Sequence, residues 1–212
     1  MTFGGAGNDI INDRVEVHEL FPTPLYVVTL SNIKDEYKDE LQSIKRSSNI
    51  GNSISEDKQI LNMKCFSRLK FEINRHLKNY YEIIEKPKDK IEPYITLSWI
   101  NWTGDNQFHH EHAHQNSIIS GVFYIDVEET DSIVFNKDTY KQILIETDNA
   151  NCFNSRRYTL PIRKNDLVLF PSSLIHGVND RLASDNDRIS LSFNTFIRGT
   201  LGSKENATEL TL

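Results

Sequence analysis

Cysteine is scarce: the 212-residue chain has two, Cys65 and Cys152, far apart. They build neither a disulfide framework nor a paired-cysteine zinc or redox motif. Long apolar runs are missing too. No stretch approaches the ~18 apolar residues that a membrane-spanning helix needs, so no membrane partner is expected. Residues 1–13 are glycine-rich and then acidic, with no basic stretch leading into an apolar one, so no secretory signal is read there. Basic charge is in short supply, with 24 Lys and Arg against 30 Asp and Glu and a net charge of −6. A protein that neutralises nucleic-acid phosphates carries the opposite balance or a basic stripe, and no such stripe is present. With only 9 Gly and 6 Pro, collagen-like and low-complexity readings also drop out. What remains is a chain long enough to bury a core as one domain, expected in the cytoplasm.

The apolar residues divide the chain by their period. Residues 1–13 read as a disordered lead-in. The segment Leu20-Phe21-Pro22-Thr23-Pro24-Leu25-Tyr26-Val27-Val28 reads as extended, with prolines suited to a strand start or an edge. Ile33, Tyr37, Leu41 and Ile44 recur at helical spacing and predict a helix over 31–46. Phe66, Leu69, Ile73, Leu77, Tyr80 and Ile84 form a longer stripe, predicting a helix over 57–84 that Pro87 closes. Beyond Pro87 the period drops to two. Strands are predicted at 94–102, 118–125, 132–135, 142–146, 157–162, 166–170 and 188–197. Many short strands with little helix between them predict an antiparallel sandwich or barrel. The organisation expected is a helical support over 31–86 and a β-sandwich over 91–200, within one domain spanning 14–212.

Four of the 7 histidines fall in His109-His110-Glu111-His112-Ala113-His114. In an extended chain alternate side chains share a face, so His110, His112 and His114 project together and His109 and Glu111 project the other way. Imidazoles at that spacing can converge on one metal. His176 follows an apolar strand, Leu169-Phe170-Pro171-Ser172-Ser173-Leu174-Ile175, at a place suited to a further ligand. The segment Arg188-Ile189-Ser190-Leu191-Ser192-Phe193-Asn194 alternates polar and apolar residues. Its polar row points to solvent in an open sheet, or inward in a closed sandwich covered on its outside. Turned inward, Arg188 offers a planar fork and Ser190 a hydroxyl to a carboxylate.

These stretches occur in an order that resembles a known family. Leu20 to Tyr26, Ser98-Trp99-Ile100-Asn101, His112-Ala113-His114-Gln115-Asn116-Ser117 and Ser120-Gly121-Val122-Phe123-Tyr124 lead the set. Asp166-Leu167-Val168-Leu169-Phe170-Pro171-Ser172 before His176, and Asp187 to Asn194, complete it. Together they resemble the 2-oxoglutarate- and Fe(II)-dependent oxygenases of the prolyl-hydroxylase-like group, nearest to a branch common in marine bacteria and their phages. The resemblance implies a mainly β fold, a double-stranded β-helix (jelly roll) with N-terminal α-helices packed on its outside. It implies Fe(II) held by His112, His114 and His176, and 2-oxoglutarate gripped by Arg188, with Ser190 assisting and Tyr124 lining the cosubstrate pocket. The activity implied is a dioxygenase or hydroxylase that uses O2 to oxidise a substrate C–H bond and decarboxylates 2-oxoglutarate to succinate. The primary substrate is not readable, and a homodimer is one expectation for the assembly.

The chain departs from most of that superfamily at one position. A carboxylate usually completes the pair that His112 and His114 occupy here, and an all-histidine set carries one negative charge less. A competing register pairs His109 with Glu111; the distance to Ser120-Gly121 favours His112 and His114. Two other metal readings stand beside this one. His110, His112 and His114 suit a zinc hydrolase, and Gly104 followed by His110-Glu111-His112 echoes a cupin. A jelly-roll module without catalysis is the third alternative.

Overall fold

The computed structural model describes residues 14–31, 33, 37–137, 143, 145–181 and 186–212. The expected disordered lead-in lies outside them, as does part of the helix expected over 31–46. The strand expected at 142–146 falls partly outside them, and its described residues form none.

Strand β1 is Tyr26–Thr29, entered after Pro22 and Pro24. Helix α1 is short, Lys38–Ser43, and Ile44 is already extended. Two small strands follow, β2 (Arg46–Ser48) and β3 (Ser53–Ser55), at and beyond the end of the helix predicted over 31–46 and outside every predicted strand. They are three residues long and hold one apolar residue between them, Ile54, too few for an alternation to mark them. The stretch expected as one helix over 57–84 begins instead with two 3-10 turns, Ile60–Asn62 and Lys64–Phe66. Gln59 bridges to Ser98, which ties this entry to the sheet before regular helix starts. Helix α2 then runs Ser67–Tyr80 and closes in a π turn, Tyr81–Glu85. Lys86 adopts the left-handed conformation (φ 47°), its N–H bonded to the Tyr81 carbonyl, and Pro87 blocks continuation.

The remaining strands are β4 (Ile91–Thr103), β5 (His109–His112), β6 (Ile119–Asp126), β7 (Ser132–Asn136), β8 (Arg157–Pro161), β9 (Asp166–Pro171), β10 (Ile175–Val178), β11 (Arg188–Leu201) and β12 (Leu210–Thr211). They form two sheets. The larger runs β1-β9-β6-β11-β4-β3-β2, with β12 against the end of β11; the smaller runs β5-β10-β7-β8. Every pair between these strands is antiparallel.

Alternation along the central strands sorts side chains between two cores. Ile119, Phe123 and Ile125 of β6, Leu167 and Leu169 of β9, Leu191 and Phe193 of β11, and Ile100 and Trp102 of β4 share one cluster with Leu69, Ile73 and Leu77 of α2. The opposite side supplies Val122, Tyr124, Val168 and Phe170, which cluster with Ile133 and Phe135 of β7 in the smaller sheet. The larger sheet is therefore buried on both faces, as β6 and β9 show along nearly their full length. Gly121 makes this packing possible at its closest point, since a Cβ there would sit 2.1 Å from Phe193 Cζ. The polar row of β11 belongs to the face that looks toward the smaller sheet.

Candidate metal and carboxylate site

β5 and β10 are neighbours in the smaller sheet, and His112 stands directly opposite His176. Their ring centroids lie 4.6 Å apart, and the His114 ring lies 4.9 Å from His112 and 5.1 Å from His176. One ring nitrogen from each of the three falls within 4.8 Å of the others. Bonds of ~2.0–2.1 Å to one ion would draw these nitrogens closer together, a small side-chain adjustment.

Two of the three rings have their tautomer set by the backbone. His112 Nδ1 lies 2.8 Å from the His110 carbonyl and His176 Nδ1 2.9 Å from the Leu174 carbonyl. A carbonyl only accepts, so Nδ1 donates in both, and the lone pair is left on Nε2. Burial, foremost, keeps the rings neutral. It pulls His176 down to about 3 and His114 to about 4, and it lowers His112 as well.

His114 lies beyond the end of β5 and is fixed from outside. Its N–H donates to the Ser172 carbonyl at 2.9 Å. The Ser172 hydroxyl bonds to those of Ser117 and Ser120, at 2.7 and 2.8 Å, and Ser120 donates to Asn194 Oδ1 at 3.0 Å. This chain of short polar side chains ties the His114 loop to the turn that precedes β10 and His176.

The structure also brings in His109, which strict alternation would place with Glu111 on the opposite face. The pairing of β10 with β5 shifts register: His176 faces His112, but Val178 faces His109. Two steps on β10 span three on β5, so β5 carries an extra residue and His109 and His112 share a side. His109 lines the cavity with His112 and His176. Glu111 is exposed and belongs to neither histidine cluster, so among the described residues no carboxylate joins the triad. Nothing in the sequence pattern marks the bulge.

The cavity lies between the sheets, and residues of both line it. Arg188, Ser190, Ser192 and Asn101 line it, so the polar row of β11 points inward. The Ser192 hydroxyl accepts from Asn101 Nδ2 at 2.9 Å. Arg188 is 3% exposed, and its guanidinium lies over the Tyr124 ring, 5.1 Å from the centroid. Tyr124 is fully buried and does not line the cavity; it supports Arg188 from behind. Burial pushes the Tyr124 hydroxyl up to about 12, against the pull of Arg188.

Two buried arginines near this end have opposite surroundings. Arg181 donates to both Asp131 oxygens, at 2.8 and 3.2 Å, and to the carbonyls of Thr103 and Asn186. Arg188 donates to the Ser132 carbonyl at 2.9 Å and has no carboxylate at ion-pair distance among the described residues. Burial accordingly lowers its pKa. A buried cation without an ion-pair partner among the described residues, in the same cavity as His112 and His176, is suited to an anionic ligand.

The family described as "Putative 2OG-Fe(II) oxygenase" matches residues 97–194, a span that contains the triad, Tyr124, Arg188 and Ser190. The chain resembles the 2-oxoglutarate- and Fe(II)-dependent oxygenases. No protein of curated function matches it in sequence. Among solved structures it is similar to HygX from Streptomyces hygroscopicus, with nickel, 2-oxoglutarate and hygromycin B bound (TM-score 0.57, 13% identity, 82% of each chain covered). It is similar to the non-haem α-ketoglutarate-dependent epimerase SnoN from nogalamycin biosynthesis (0.56, 13%, 82% of this chain and 78% of that one). A prolyl-4-hydroxylase from Pseudomonas putida also aligns (0.51, 12%, 81% and 92%). At this identity the likeness is one of fold, and that fold is the mainly β scaffold of such oxygenases. No helix among the described residues is long and apolar enough to cross a membrane.

Proposed function

We propose that the protein is a 2-oxoglutarate- and Fe(II)-dependent dioxygenase that oxidises a C–H bond of its substrate and converts 2-oxoglutarate to succinate and carbon dioxide. The observation that carries this reading is Arg188, a buried guanidinium with no carboxylate partner among the described residues, in the same cavity as His112 and His176. Leaving such a charge unpaired is costly, and a dicarboxylate that reaches from metal to arginine relieves it.

We read the two packed sheets as a double-stranded β-helix, a jelly roll, with α2 on its outside, and residues 14–212 as one domain. His112, His114 and His176 hold the metal, which supplies the redox and Lewis-acid chemistry when bound. The protein's own part is ligation, orientation and exclusion of water. The carbonyls of His110 and Leu174 hold the Nδ1 protons and aim two Nε2 lone pairs inward. Arg188 grips the far carboxylate of 2-oxoglutarate bidentately, and Ser190, which lines the same wall, adds a hydroxyl. Tyr124 keeps the guanidinium from swinging away. The apolar cluster of Val122, Ile133, Phe135 and Phe170 beside the site keeps bulk water out.

Anaerobic addition of 2-oxoglutarate to the Fe(II)-loaded protein tests this. The expected result is a visible charge-transfer absorption that is lost in His176→Ala. A jelly-roll protein with zinc or cupin chemistry gives no such absorption, and its absence in loaded, folded protein would overturn the reading.

A further inference from the structure

We propose that His109, His110 and His112 form a second metal position, suited to Zn(II) and similar late divalent ions, that competes with the inner triad for His112. One ring nitrogen from each of these three residues lies within 4.8 Å of the others. Their ring centroids are 5.3 Å (His109–His110), 4.7 Å (His109–His112) and 4.9 Å (His110–His112) apart. Consecutive residues of a regular strand point to opposite faces, so this convergence depends on the extra residue in β5. Bulges re-aim side chains, and here three of the four residues of β5 come together while Glu111 stays exposed.

A second observation points to a ligand. His110 Nδ1 is buried and has no hydrogen-bond partner in the structure. A buried polar nitrogen without a partner is costly, and a metal ion is one partner that an imidazole accepts. The donor set is three imidazoles with no carboxylate. Such sets suit zinc, copper and nickel, which bind nitrogen more strongly than Fe(II) does.

The two positions exclude each other because they share His112. Its Nδ1 proton is committed to the His110 carbonyl, which leaves one lone pair, at Nε2, for one ion at a time. An ion in the outer position therefore reduces the inner triad to His114 and His176 and blocks iron loading. That consequence rests on the dioxygenase reading above; the outer site itself does not.

Co(II) titration of chelator-treated protein, followed by visible absorption and displaced with Zn(II), separates these claims. Wild type should bind one equivalent in total. His114→Gln/His176→Gln should still bind one Co(II), with a spectrum unlike that of His109→Gln/His110→Gln, and adding His110→Gln should abolish it. If the first double variant is folded by circular dichroism yet binds neither Co(II) nor Zn(II), the outer site is wrong. Two equivalents in wild type would overturn the exclusion. Should that variant not fold, His109→Gln/His110→Gln decides alone: a Co(II) spectrum and Zn(II) affinity identical to wild type would overturn the proposal. Loss of all binding in His109→Gln/His110→Gln, with retention in the other double variant, would instead overturn the iron assignment and leave the outer site standing.

Discussion

Arg181 and Arg188 occupy similar depths with different partners, and their substitution should have opposite consequences. Arg181 is held by Asp131 and two carbonyls, so removing it leaves a buried carboxylate unpaired. Arg181→Met should cost about 3–5 kcal/mol, measured by urea denaturation. Arg188 donates to the Ser132 carbonyl and lies over Tyr124, with no carboxylate at ion-pair distance among the described residues. Arg188→Met should leave the stability of the metal-free protein unchanged or slightly higher. A large loss would mean that Arg188 has a structural partner and is not a ligand grip. The role of Arg181 is invisible in sequence, because its partner Asp131 lies far from it along the chain. The inward polar row of β11, by contrast, is plain in the alternation of Arg188, Ser190 and Ser192 with Ile189 and Leu191, once the outer face is known to be covered.

Among the elements, β11 and β6 fix the site's position, and their contact is tightest at Gly121. A Cβ at 2.1 Å from Phe193 Cζ has no room, and both residues lie in the most buried part of the sheet. Gly121→Ala should therefore destabilise by at least about 1–3 kcal/mol. Calorimetric melting would show it, and a Tm equal to wild type would mean that Phe193 repacks freely. The hydroxyls of Ser117, Ser120 and Ser172 act on a finer scale. Ser172→Ala should preserve the fold but loosen the His114 loop, weakening metal binding without changing Arg188. Long elements with regular period, such as α2 and β11, could be read from the chain because each residue repeats the same instruction. Short elements could not. β2, β3 and β10 have three or four residues each, too few for a period to appear, and β5 is interrupted by its own bulge. That interruption puts His109 on the face opposite to the one alternation predicts, whereas residue type and order are enough to single out His112, His114 and His176.

For the molecule as a whole, burying several imidazoles makes stability depend on pH. An unfolded chain takes up protons on these histidines near pH 6.5, whereas burial holds His109 and His176 at about 3 and His114 at about 4. Between those limits the unfolded state binds more protons than the folded one. The stability of the metal-free protein should therefore fall as pH drops below about 6.5 toward 4. Denaturation midpoints across that range check this, and a midpoint independent of pH would mean that the rings are solvated. Metal binds only the folded, deprotonated site, so loading should raise Tm, with a chelator reversing the gain.

The central claim is that one buried guanidinium, facing a histidine triad, recognises the far carboxylate of 2-oxoglutarate. Calorimetric titration of 2-oxoglutarate into metal-loaded protein under anaerobic conditions tests it most directly, comparing wild type with Arg188→Lys and Arg188→Ala. Loss of charge-assisted hydrogen bonds should weaken binding roughly 10- to 100-fold in Arg188→Ala. Arg188→Lys, which keeps the charge and loses the planar fork, should fall between, with metal affinity the same in all three. Equal affinity for 2-oxoglutarate across the three proteins would contradict the account.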